Sequence, residues 1–297
     1  MMMPAQLWFN ALVLGGMYAL LALGLGLIYN TTRLFDFSFG AIYVIGAYSA
    51  YQLFELTDLG TIPVILLSAL VSTAVGVLLM HVVYRRLILR GTPFLGFAVA
   101  TLGVAIILEN AIAYFYSPVV RTLEASDGIG TFETTWGGVR VTGVQLLILG
   151  GAVLAMAAFF LFFQRTRAGL DLRAVSSDAG LAEAKGVERL RSAYIAFTVG
   201  YLLAATSAVL ITLENRTLQP SIGHEMVVIA IVGVLLGGAS NTPAAAVGGF
   251  VLALASYQMT WWFGEQWARP IIYTSLIGLL LVRPQGMFGR KISFVGR

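Results

Sequence analysis

Long apolar runs alternate with short polar turns along this chain. The runs cover residues 7–29, 35–54, 62–84, 93–116, 143–163, 192–213, 225–236, 244–262 and 268–282. About 20 apolar residues in a helix cross the ~30 Å hydrocarbon core of a bilayer, and most of these runs have that length. None shows the alternating pattern of a membrane β-strand. The run at 225–236 is shorter, and its residues rise only about 18 Å as a helix. The stretch GGASNTPAAAVGG interrupts it with Gly, Asn and Pro. The run at 268–282 is also short. Broken or re-entrant helices of this kind line pathways in transporters.

Within the runs, small residues recur at helical spacing. Gly15, Ala19, Ala22 and Gly26 share one face of the first run, and Ala193, Ala196, Gly200, Ala204 and Ser207 one face of the sixth. Such faces allow helices to approach closely in lipid. Arg33 and Asp36, three residues apart, have the spacing of an ion pair if their segment is helical. The first run has no basic segment ahead of it, so it reads as a retained helix and not a cleaved leader.

Composition agrees with the pattern. Of 297 residues, 59% are hydrophobic and 11% charged, against about 25% charged in soluble domains. The expected fold is an all-α polytopic membrane protein with about 8–9 transmembrane helices, some short or broken, in a single domain over 1–297. The absence of cysteine excludes disulfides, thiolate metal sites and cysteine nucleophiles.

The long polar segment is 164–191, QRTRAGLDLRAVSSDAGLAEAKGVERLR, with six of the eighteen basic residues. Alternating crossings put it on one side with Arg33, Arg85, Arg86, Arg90 and the basic tail, which together make fourteen bases. Arg121, Arg140, Arg216 and Arg269 are left for the other side. The positive-inside rule then makes 164–191 and the C-terminus cytoplasmic and 117–142 extracytoplasmic. This distribution accounts for the net charge of +4 without a nucleic-acid partner. The segment reads as two short helices broken near Gly180 and Gly186. It is either a docking surface for a partner protein or a solvated connector.

Candidate chemistry is sparse. Glu109 is a carboxylate inside a predicted span, with Asn110 beside it. A charge there is costly and faces protein or water. It is either a substrate or proton relay or a carboxyl bonded within the bundle. His81 and His224 fall at opposite ends of the predicted topology, so they cannot share a metal, and each has an interfacial structural reading. No Ser–His elbow, Walker A loop or H-E-x-x-H motif occurs. No catalytic or metal-binding residue is assigned, and the chain carries no visible ATP site.

Several stretches together resemble a known family. NALVLGGMYALLALGLGLIYN, FDFSFGAIYVIGAY, RAVSSDAGLAEAKGV, PSIGHEM, GGASNTPAAAVGG and LVRPQGMFGR are similar to motifs of the LivH-type permease subunits of branched-chain amino acid ABC transporters. The likeness covers nearly the whole chain. It departs at Asp36, where the family favours Asn, and at Ser240, Asn241 and Ala244. The resemblance implies an importer permease of the bacterial inner membrane for branched-chain or other hydrophobic amino acids. It implies a second homologous permease, two ATP-binding subunits that hold ATP-Mg, and a periplasmic or lipid-anchored binding protein. Within 164–191 it implies coupling to those ATP-binding subunits through Arg173, Ala174, Asp178, Ala182, Glu183, Ala184, Gly186 and Val187. Candidate pathway residues are Asn10, Tyr18, Asp36, Glu109, Asn110, Ser240 and Asn241. Alternatives are a permease for urea or short amides, and an ion-coupled secondary transporter using Glu109.

Overall fold

Helix α1 (Ala5–Thr32) is the axis of the bundle. Of its most apolar stretch 83% is buried, against 22% for each of two outer helices. A computed structural model provides the structure, which describes residues 5–123, 133–136, 139–239 and 241–264, and single residues 266, 267, 270, 273, 274 and 278. Most of the expected run at 268–282, and the basic tail, lie outside the described residues.

After α1 come α2 (Phe39–Leu56) and α3 (Thr61–Leu79), a π turn (Met80–Tyr84) and α4 (Arg85–Leu89). The last three form one continuous rod, Thr61–Leu89. Next are α5 (Phe94–Tyr116), β1 (Arg121–Thr122), β2 (Glu133–Trp136), β3 (Val139–Thr142) and α6 (Gly143–Arg165). Two short helices follow, α7 (Arg167–Ser177) and α8 (Ala179–Ala184). The described elements end with α9 (Arg189–Asn215), β4 (Thr217–Leu218), α10 (Ile222–Gly237) and α11 (Thr242–Phe263). Helices dominate because every backbone polar group in lipid must be bonded within the protein. The strands form two small antiparallel pairs, β2 with β3 and β1 with β4. Among the described residues, six helices are long and apolar enough to cross a membrane.

Two contacts orient the ends of α1. The Gln6 side chain donates to the Arg140 carbonyl and accepts from the Arg140 N–H, tying the start of α1 to β3. At the far end, Arg33 Nη2 donates to the Ser176 carbonyl of α7 at 2.8 Å. A helix of 28 residues is about 42 Å long. The strand hairpin and the α7–α8 segment therefore sit at opposite ends of the bundle, as the charge pattern expects.

α1 packs against α11, α9 and α10, and α9 also contacts α2 and α3. α10 and α11 form a tight helical hairpin around the GGASNTPAAAVGG stretch. A Cβ on Gly248 would strike the Gly233 carbonyl and the Gly237 backbone, and one on Gly237 would strike the Ala244 carbonyl. Lipid tails give helices no hydrophobic reason to associate, so such backbone-to-backbone approach supplies the packing. Outside this core, α5 and α6 present Leu95, Ile107 and Leu154 outward, an apolar face suited to lipid or to another helix.

Two expectations are corrected. The second run is not helical from residue 35. α1 ends at Thr32 and α2 begins at Phe39, so Arg33 and Asp36 are not helical neighbours and do not pair. The third run does not stop at residue 84, because the π turn carries the helix on to Leu89. The first break of the 164–191 segment, expected near Gly180, falls two residues earlier, at Asp178. Asp178 accepts from the Leu181 N–H and caps α8, which a glycine cannot do with a side chain. The second break stands at Gly186, whose φ is +88°. There the Gly186 N–H donates to the Glu183 carbonyl and the Val187 N–H to that of Ala182, closing α8 with a left-handed residue.

Candidate functional site

The site is built on the irregular segment between α1 and α2. Thr31 and Thr32 turn their hydroxyls back onto the Leu27 and Ile28 carbonyls. Arg33 then takes φ +60°, a conformation that costs a non-glycine residue about 1 kcal/mol. The Arg33–Ser176 bond holds it there. Tyr29 stacks on Phe35 with ring centroids 4.3 Å apart, and the Phe37 N–H reaches Thr101 Oγ1 on α5.

Asp36 lies at the centre of this segment and is fully buried. Its Oδ1 accepts from the Ser38 N–H at 2.9 Å and from Ser38 Oγ at 2.6 Å. Its Oδ2 accepts from the Tyr201 hydroxyl of α9 at 2.6 Å. Because the Ser38 hydroxyl spends its single proton on Asp36, the Tyr84 hydroxyl, 2.5 Å away, must be the donor to Ser38. Three donors therefore converge on one carboxyl group, a set suited to a carboxylate. The π turn carries Tyr84, which also packs beside Phe97 and Phe197. The knot thus joins the α1–α2 segment to the α3 rod and to α9. Asp36 is where the chain departs from the Asn expected of the resembling family, and it is sealed from solvent in this conformation.

Above this knot, α2 and α10 touch. A Cβ on Gly40 would strike the Gly223 carbonyl, and one on Gly223 would lie 2.7 Å from the Gly40 carbonyl oxygen. Next to that contact is a recess walled by Phe37, Ala41, Val44 and Ala105. Glu109 of α5 and His224 of α10 close it, with Nδ1 to Oε2 at 2.9 Å. Glu109 is the intramembrane carboxylate noted in the sequence. His224 lies beside it and not at a separate interface, a pairing that sequence distance alone conceals.

The remaining candidates are scattered. Asn10 accepts from Gln6 near the hairpin end. Tyr18, Tyr43 and Glu225 share one electrostatic neighbourhood. Asn110 faces outward and donates to the Ile106 carbonyl of its own helix. Asn241 is exposed at the start of α11, and Ser240 lies outside the described residues. His81 meets the Tyr194 hydroxyl at 3.0 Å. Ser38, Tyr84 and Tyr201 were not among the sequence candidates.

At the α7–α8 end, Leu172, Val175 and Ala182 are buried, while Arg173, Asp178, Glu183, Ala184 and Gly186 are exposed. Ala174 and Val187 are half-buried. α7 packs on α6, α9 and α1. A recess of about 290 Å³ lies between the end of α1 (Thr31, Thr32), the Gly91–Thr92 turn and Arg189 of α9.

Comparison with known proteins bears on this arrangement. The family model described as "Branched-chain amino acid transport system / permease component" matches residues 7–282. The high-affinity branched-chain amino acid transport system permease protein BraD of Pseudomonas aeruginosa is 30% identical, over 95% of this chain and 94% of its own. The corresponding protein LivH of Salmonella typhimurium is 28% identical, over 96% and 95%. The permease protein LivM of the same organism is 26% identical, over 91% of this chain and 67% of its own. No solved structure matches.

Proposed function

We propose that this chain, which belongs to the branched-chain amino acid transport permease family, is the membrane subunit that forms the path for branched-chain or other hydrophobic amino acids in an ATP-driven importer. It is a multi-pass membrane protein and a transporter subunit, not an enzyme in itself. The observation that carries the reading is the family match over almost the whole chain. The helical bundle around a buried α1 supports it, because such a bundle can rearrange about an axis.

ATP hydrolysis belongs to partner subunits on this reading. Two ATP-binding subunits, holding ATP-Mg, dock at the α7–α8 end, which makes that end and the C-terminus cytoplasmic. Leu170 and Leu181 stand exposed there among charged side chains, a mixed surface suited to a protein partner. Arg173, Ala174, Asp178, Ala182, Glu183, Ala184, Gly186 and Val187 form or shape that surface. A second permease of the same family completes the path, and a binding protein delivers substrate at the hairpin end.

Coupling needs each ATP state to favour one arrangement of the path. The Arg33–Ser176 bond supplies a short mechanical route. Movement of α7 pulls the end of α1, and the segment 33–38 begins there. That segment carries Asp36 and leads into the Gly40–Gly223 contact.

The test is purification of the tagged chain in mild detergent, followed by reconstitution with whatever co-purifies. Recovery of ATP-binding subunits and a second permease, with ATP-dependent uptake of labelled leucine, is expected. A chain that isolates alone and transports with an ion gradient, without ATP, would refute the reading.

A further inference from the structure

The Glu109–His224 pair is a contact between a carboxyl oxygen and an imidazole nitrogen at 2.9 Å. It bridges α5 and α10. Among the described residues α5 leans chiefly on α2, so the pair joins two helices that otherwise barely meet. Glu109 stands seven residues before the end of α5, about 10 Å inside it. Its side chain is 22% exposed and that of His224 55%, so the pair is reachable and not sealed like Asp36. The wall beside it is apolar: Phe37, Ala41, Val44 and Ala105. A charge at such depth is costly unless it has a use or a partner.

We propose that Glu109 and His224 read the two charges of the transported amino acid, Glu109 taking the α-ammonium and His224 the α-carboxylate. This proposal rests on the amino-acid transport reading above. A carboxylate and an imidazole that is cationic when protonated, within one hydrogen bond of each other and set against an apolar wall, are the complement of a hydrophobic zwitterion. In the protonated imidazole Nδ1–H donates to Glu109 and Nε2–H is left to donate to the substrate carboxylate. When substrate arrives, the internal pair opens and two substrate pairs replace it. The exchange keeps both protein charges compensated at every stage. It also keeps net binding weak, as a conducting site requires.

The present conformation is the closed one. The recess has a free volume of about 10 Å³, room for one water molecule and too small for leucine. Opening requires α5 to move away from α10. α5 is mostly unburied within this chain, and the bond it must break is the ion pair itself. Substrate charges that compete for Glu109 and His224 therefore favour the open arrangement. The other acid on α10, Glu225, lies near Tyr18 and Tyr43 and belongs to a different neighbourhood.

The test uses the intact complex in proteoliposomes with labelled L-leucine. Two double variants are compared with the wild type. Glu109→Gln with His224→Gln keeps a neutral hydrogen bond between the helices. Glu109→His with His224→Glu keeps an ion pair but reverses its polarity against the apolar wall. Both are expected to assemble with the wild-type subunit ratio. Leucine uptake at limiting substrate should fall about tenfold or more, because two charged hydrogen bonds to the substrate are lost or reversed. A merely structural pair predicts that the reversed variant transports normally. Uptake within about twofold of wild type in either assembled variant overturns the proposal. If the wild-type complex takes up no amino acid, the transport reading itself fails, and this site with it.

Discussion

Replacing Tyr201 by Phe removes one oxygen atom and leaves the ring. The ring contacts with Phe39 and Phe197 remain, so the change isolates the hydroxyl that donates to Asp36 Oδ2 at 2.6 Å. Two magnitudes compete. Hydrogen bonds between membrane helices average about 0.6 kcal/mol and reach about 1.7 in double-mutant cycles. Bonds to charged groups contribute about 1.5–3 kcal/mol, and their loss leaves a buried charge short of a partner. An O–H···O distance of 2.6 Å belongs to the charge-assisted range. The Ser38 N–H and the Ser38 and Tyr201 hydroxyls all donate to the carboxyl group, so the larger magnitude applies. Tyr201→Phe is expected to cost about 2 kcal/mol. The assay is reversible denaturation in mixed micelles, followed by circular dichroism. Repeating it in the Asp36→Asn background completes a cycle. There the bond is neutral, and the same deletion should cost about 0.6 kcal/mol. Equal costs in the two backgrounds, or a cost below about 0.5 kcal/mol in the parent, would refute a carboxylate held by three donors.

Other expectations follow from the same geometry. Gly40→Val should block assembly of the folded bundle, because its Cβ meets the Gly223 backbone, which has no rotamer to change; a folded, transport-competent variant with unaltered gel-filtration behaviour would contradict this. Asp178→Ala removes the cap of α8 and should lower stability by about 1 kcal/mol, with leucine uptake per ATP hydrolysed falling further than stability does. Arg33→Ala cuts the link to Ser176 but keeps the left-handed backbone; uptake should fall while ATP-binding subunits still co-purify, and unchanged uptake would remove Arg33 from the coupling route. Replacing Glu183–Gly186 by bulky residues should separate ATP hydrolysis from uptake, measured side by side in proteoliposomes.

The linear pattern of the chain was enough to establish a helical membrane protein. Run length follows from bilayer thickness, and polar loop residues follow from solvation, so both can be read locally. The opposition of β3 and α7 at the two ends of α1 agrees with arginine placement for the same reason. Family membership was legible because its motifs are contiguous. Even the short run at 225–236 announced itself, through the Gly, Asn and Pro that follow it.

The site was much less legible. Asp36 and Arg33 suggest a local pair by spacing, yet each bonds a residue more than a hundred positions away. Tyr84 and Tyr201 look like ordinary apolar helix residues until the π turn and the packing of α9 bring both hydroxyls to one buried cluster. Glu109 was visible as a charge within an apolar run, but its partner was not, because His224 reads as a loop-end residue until α10 lies beside α5. Hydrophobicity is a property of each residue and its neighbours in sequence. The partner of a buried polar group is decided by which helices touch, and in lipid that choice rests on the close approach of backbones at Gly40, Gly223, Gly237 and Gly248. The sequence therefore determined that the chain crosses a membrane and to which family it belongs, while the packing of small residues alone decided which charges and hydroxyls meet.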